Sequence, residues 1–175
     1  YNKNKLFQVN YNDKNILTDK DIKKINHKLK TLLNKKYDAV IMIDFGHQYI
    51  QKNVVNLINK CKAKKFVNCQ TNSSNFGYNL INKYKNINFF TCDEDEYRLS
   101  ANNNSDDLLT VITKSKNLNE RFKNLVVTAG LYGCYFVNKQ NIKYVPALKT
   151  DYGVDNIGCG DIFFCFYSML NLQKK

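Results

Sequence analysis

Apolar residues along this chain fall into two kinds of run, and the two predict different elements. Short runs bounded by polar residues predict strands: KLFQVN (5–10), DAVIMID (38–44), KFVNC (65–69), INFFTC (87–92), NLVVTAG (124–130), CYFVN (134–138) and IKYVP (142–146). The others recur at helical spacing. Between Thr18 and Lys36, the residues Ile22, Ile25, Leu29, Leu32 and Leu33 form one stripe, with Thr18 placed to cap the first turn. A second helix is predicted from Gln51 to Lys62, with Val54, Val55, Ile58 and Cys61 facing inward. Helical pieces follow around Asp93–Ala101 and Ser105–Leu118, and a last apolar helix starts near Cys159.

Strands and helices alternate as far as Thr91, whereas the strands between Leu125 and Val145 lie close together. Alternation predicts a parallel sheet with helices on both faces, and the close-set strands predict an antiparallel hairpin at one edge. The fold class is therefore α/β. With one proline, Pro146, and no linker or repeat, the 175 residues read as a single domain, 1–175.

Charge changes this picture little. The formal net charge is +12, but only Arg98 and Arg121 are arginines, and the lysines are scattered among 27 asparagines. Base reading and bidentate phosphate binding favour arginine, so a polynucleotide partner is not expected. The six cysteines contain no C-x-x-C pair, which argues against zinc, and most lie in apolar runs as free thiols do in a reducing cytoplasm. No apolar run reaches the roughly 20 residues of a membrane span. The chain begins with Tyr1, as a processed terminus or a portion of a longer protein would.

Three stretches carry chemistry. In VDNIGCGDIFFCF (154–166), Gly158 and Gly160 allow close backbone approach, Cys159 is small, and an apolar helix follows whose first N–H groups lack internal acceptors. That arrangement suits a phosphate, and Asp161 beside it suits a base for an attacking hydroxyl. The same tetrapeptide also reads as a plain turn with an acidic first helical residue, or as a Cys159 nucleophile partnered by His47. In VVTAGLYGCYFV (126–137), Thr128, Gly130 and Gly133 mark either a hairpin turn or the border of a nucleotide site. In FFTCDEDEYRL (89–99), Asp93 and Glu96 stand three apart at a helix start, where they favour the helix dipole or hold Mg²⁺ directly or through water.

Taken together these stretches resemble the ribokinase/PfkB family of carbohydrate kinases: VDNIGCGD its D-x-x-G-[AC]-G-D signature, TAGLYG its T-x-G-x-x-G element and TCDEDE its T-P-N-x-x-E. Within it, YDAVIMIDFGHQYI and NCQTNSSNFGYNLINKY are similar to segments of the heptose-7-phosphate kinase-like proteins often fused to a sugar nucleotidyltransferase. The resemblance implies a ribokinase-like three-layer sandwich, of which this chain is the C-terminal portion without the sugar-binding and lid region. It implies Asp161 as catalytic base and Gly158, Cys159 and Gly160 as anion hole. ATP would meet Thr128, Gly130, Gly133 and Asp155, Mg²⁺ would sit near Glu96 and Asp93, and Asp44 would face the substrate or cap its own turn.

Two departures stand out: Asp93 replaces the usual Asn, and His47 and Gln48 replace a Lys-Gly pair after Asp44. The expected activity is ATP-dependent phosphorylation of a sugar or sugar-phosphate hydroxyl in the cytoplasm, with a nucleotidyltransferase, fused or separate, as partner. An exposed sheet edge leaves room for a homodimer. The rival readings are a non-catalytic remnant and a nucleotide-binding module.

Overall fold

Four strands lie side by side in chain order because each connection between them returns the chain in the same direction. β1 (Ala39–Asp44), β2 (Lys64–Cys69), β3 (Phe89–Asp93) and β4 (Asn124–Thr128) pair in parallel. β5 (Cys134–Asn138) and β6 (Asn141–Val145) extend the sheet as an antiparallel hairpin. The computed structural model describes residues 17–47, 49–72, 75–139, 141–149 and 157–173. The expected strand at 5–10, Gln48 and Asp155 lie outside them.

α1 (Asp19–Leu33) starts at Thr18, whose side chain and that of Asp21 close a reciprocal capping box. No residue of α1 is fully buried; Ile25, Leu29 and Leu33 lean on the core while Leu32 stays 37% exposed. α2 (Lys52–Lys60) buries Val54, Val55 and Ile58, as its spacing predicts, and ends at Cys61. α3 (Glu94–Ala101) follows β3 directly. The single helical piece expected over Ser105–Leu118 is instead two, α4 (Leu108–Lys114) and α5 (Lys116–Asn119). Ser115 leaves helical geometry at φ −89° and ψ 43°, and its carbonyl accepts from Leu118 and Asn119 to begin a new turn.

Strand alternation sorts side chains onto two faces. Val67, Cys69, Phe90, Cys92, Leu125 and Val127 join the core beneath α1–α5. Phe66, Phe89 and Val126 face α6 (Cys159–Gln173), which covers the other side of the sheet with Phe164 fully buried. Phe164 stacks on Phe89 with ring centroids 6.2 Å apart, and Tyr167 lies over the same ring at 4.5 Å. Burying a ring such as Phe164 contributes about 1.5–3 kcal/mol, enough to fix where the start of α6 sits. The far side of α6 is apolar too: Ile162, Phe166, Met169 and Leu170 are all more than half exposed. Among the described residues no helix is long and apolar enough to cross a membrane.

Candidate active site

In parallel α/β sheets ligands gather beyond the carboxyl ends of the strands, and the sequence-predicted residues collect there. Asp44 ends β1, Asp93 ends β3 and Thr128 ends β4; in register, Asp44 partners Cys69 and Asp93 partners Thr128. Asp161 arrives at the same edge from the first turn of α6, where its Oδ1 accepts a 2.6 Å hydrogen bond from Gln70 Nε2, across 91 residues of chain.

The turn Gln70–Thr71 is the junction of the site. Its backbone is held on both sides: Gln70 N–H donates to the Asp44 carbonyl at 2.8 Å, and the Gln70 carbonyl accepts from Asn79 Nδ2 at 2.9 Å. Thr71 N–H donates to Glu96 Oε1 at 2.7 Å. The other oxygen of Glu96 accepts from Asp93 N–H at 2.8 Å, while Asp93 Oδ1 accepts from Glu96 N–H at 2.8 Å, a capping box that starts α3. One turn thus touches the Asp161 carboxylate on one side and the Glu96 carboxylate on the other.

Burial, and then the neighbouring Asp93 charge, push the Glu96 carboxyl up to about 7. Asp93 is raised as well, chiefly by burial. The pair could hold a divalent cation through water, from the Asp93 side, since Glu96 is buried. Each carboxylate oxygen that accepts a backbone N–H keeps a second lone pair, and Mg²⁺ commonly takes one or two protein carboxylates while retaining waters. Among the described residues no cluster of three or more His, Cys, Asp or Glu forms a metal cage.

Asp44 sits inside the fold rather than on the open edge. It is 1% exposed. Its Oδ1 accepts from Gly46 N–H at 2.9 Å, which is the turn-capping role open to it from the sequence, and its Oδ2 accepts from the Tyr84 hydroxyl at 2.7 Å. Lys83 Nζ pairs with the same oxygen at 2.5 Å. Burial opposes ionisation, but the bonds from Lys83 and Tyr84 outweigh it and hold the carboxyl below the usual range. The Gly46 turn is equally enclosed: its φ is +70°, and a Cβ there would lie 2.0 Å from Asn75 Nδ2.

The glycines of the two Gly-containing motifs divide by surroundings. Among the described residues, a Cβ at Gly158, Gly160 or Gly130 would meet nothing within 4 Å. A Cβ at Gly133, whose φ is +107°, would lie 2.1 Å from the Val145 carbonyl oxygen. Gly133 therefore lets the end of β6 cross the hairpin turn and has a packing duty of its own. The Thr128 hydroxyl donates to the Cys92 carbonyl at 3.4 Å. His47 stacks on Phe45 with ring centroids 6.3 Å apart.

Sequence reading missed Asn68, Gln70, Asn79, Lys83 and Tyr84. A signal was present for the first two. They are polar residues two apart at the carboxyl end of β2, Gln70 just past its last residue, so they share the face that receives α6.

The family profile described as pfkB family carbohydrate kinase matches residues 5–165. Among solved structures, phosphofructokinase-2 from Escherichia coli, in complex with substrates and products, superposes with a TM-score of 0.63 at 14% identity over 87% of this chain and 50% of that one. Ribokinase from Arabidopsis thaliana, complexed with ribose and ATP, gives 0.62 at 15% identity over 85% and 47%. A nucleoside kinase from Burkholderia thailandensis, in complex with inosine, gives 0.57 at 15% identity over 78% and 44%. These likenesses establish the ribokinase-like α/β fold, and the chain spans about half the length of the proteins it matches. No curated protein matches it in sequence.

Proposed function

The chain belongs to the pfkB family of carbohydrate kinases, and on that premise we propose that it carries the phosphoryl-transfer centre of an ATP-dependent kinase acting on a sugar hydroxyl. Asp161 takes the hydroxyl proton. The freed oxygen bonds to the γ-phosphorus as the bond from that phosphorus to the β–γ bridging oxygen breaks, and ADP leaves. The N–H groups of Gly158, Cys159 and Gly160, at the start of α6, face the charge that develops on the transferring group. Thr128 and Gly130 border the nucleotide at the β4 end, with Asp155 positioning the signature loop. Glu96 and Asp93 would hold Mg²⁺ through water, and the cation would neutralise phosphate charge when bound.

The observation that carries this reading is the Gln70–Thr71 turn, which joins Asp161 to Glu96 although the two come from separate motifs. A remnant freed from catalysis has no physical need to keep the proposed base and the proposed metal-holding carboxylate on one segment.

For the substrate, we take the resemblance of residues 37–50 to heptose-7-phosphate kinase-like proteins as the guide, with a cytoplasmic protein joined to, or working beside, a sugar nucleotidyltransferase. Asp44 serves the substrate indirectly in this account, by fixing the Gly46 turn that would face it. The test is calorimetric titration of the full-length protein with Mg·ATP, with and without sugar phosphates. The reading expects nucleotide binding that a sugar phosphate strengthens; no binding of Mg·ATP under either condition would overturn it.

A further inference from the structure

Asp161 is held by a chain of amides whose direction is fixed from its buried end. The Thr91 carbonyl can only accept, and Asn68, 5% exposed, approaches it at 3.2 Å and the Thr91 hydroxyl at 3.0 Å. Asn68 must therefore present its NH₂ to Thr91, which turns its Oδ1 toward Gln70 at 2.9 Å. An amide oxygen there requires the Gln70 NH₂, and the second N–H of that group is the one 2.6 Å from Asp161 Oδ1. Flipping the Gln70 amide would set oxygen against oxygen at both ends. Register explains why the chain exists: Asn68 and Thr91 are direct partners across β2 and β3, and Gln70 lies two residues beyond Asn68 on the same face.

We propose that Gln70 is a positioning residue for the base: the Thr91–Asn68–Gln70 relay pins Asp161 Oδ1 with a donor that cannot reverse, leaving Oδ2 as the oxygen that receives the substrate proton. This rests on the kinase reading above. The relay does two things. It fixes the carboxylate rotamer before substrate arrives, and it keeps Oδ2 free to meet the substrate hydroxyl. The bond that Gln70 N–H donates to the Asp44 carbonyl and the one its carbonyl accepts from Asn79 Nδ2 keep Gln70 itself from drifting.

The test is steady-state kinetics of the full-length enzyme, kcat and KM separately, for wild type, Gln70→Met and Gln70→Glu, beside Asp161→Asn. Methionine keeps the length of the side chain and removes the donor. A hydrogen bond to a charged group is worth about ten- to a hundredfold in such an equilibrium, so Gln70→Met is expected to lower kcat by about tenfold near neutrality with the KM for ATP unchanged. Gln70→Glu sets a carboxylate against Asn68 Oδ1 and Asp161 Oδ1 and should lower kcat at least as far, again with the KM for ATP unchanged. Calorimetric binding of Mg·ATP by each variant checks that the site is folded. A kcat within about twofold of wild type in either Gln70 variant, or a loss that appears in the KM for ATP rather than in kcat, overturns the proposal. Full turnover in Asp161→Asn removes the base that Gln70 would position, whereas absence of Mg·ATP binding by wild type overturns the kinase reading, so the two failures are distinguishable.

Discussion

Replacing Lys83 by Met tests whether the enclosed polar cluster beneath the site is held by its ion pair. In the folded chain Asp44 is 1% exposed, and its Oδ2 receives Lys83 Nζ at 2.5 Å and the Tyr84 hydroxyl at 2.7 Å. Removing one partner of a buried ion pair costs about 3–5 kcal/mol because the other charge stays behind. Losing one charge-assisted hydrogen bond costs about 1.5–3 kcal/mol. The Lys83 side chain is 28% exposed, so water can reach the vacated position. The expected cost of Lys83→Met is therefore where the two ranges meet, about 3 kcal/mol.

Asp44→Asn removes the charge that Lys83 answers, and the double variant should cost less than the sum of the singles by about 1–2 kcal/mol. Urea unfolding followed by far-ultraviolet circular dichroism, at low salt, measures the cycle. Additivity within about 0.5 kcal/mol would refute the argument, since it would mean that Tyr84 and the Gly46 turn satisfy Asp44 without the cation. The cluster bears on function because the Asp44 carbonyl and Asn79, another partner of Lys83, hold the backbone of Gln70.

The two hairpin-turn glycines should separate stability from binding. Gly133→Ala drives a Cβ into the Val145 carbonyl and should cost more than about 2 kcal/mol in thermal or urea unfolding. Gly130→Ala, at φ +54°, should cost about 1–2 kcal/mol and act mainly on nucleotide affinity, which calorimetry reads. Acid and base limbs of stability have opposite signs. Glu96, raised to about 7, binds its proton more tightly when folded, so in EDTA stability should rise as pH falls from 8 toward 5. Asp44, lowered in the fold, contributes stability above the ordinary carboxylate range that is lost as pH falls below about 4. Unfolding midpoints across pH, with Asp44→Asn flattening the acid limb, check both signs.

Much of the architecture was legible because it rests on local patterns. Each described strand coincides with a short apolar run to within two or three residues, the close spacing of 124–145 marked the hairpin, and Thr18 marked the start of α1. The break at Ser115 was not, since the apolar pattern runs through it and only the backbone bonds reveal two turns. The three site motifs were visible as residue types at fixed spacing. What joins them was not: Gln70 reaches Asp161 across 91 positions and Thr71 reaches Glu96 across 25, contacts that exist only once parallel strands set their ends together. The burial of Asp44 had the same origin, because Lys83 and Tyr84 come from the connection after β2 and carry no local mark of their destination.

Asp161→Asn in the full-length protein tests the central claim most directly, with ADP release measured in the presence of Mg·ATP and a sugar phosphate that wild type turns over. Asparagine preserves the shape of the side chain but cannot take the proton. General-base catalysis is worth about 10²–10⁴-fold, so turnover should fall by at least about a hundredfold while calorimetric affinity for Mg·ATP is kept. Turnover within a few-fold of wild type would contradict the account, because the proton would then be leaving the sugar by a route that does not involve Asp161.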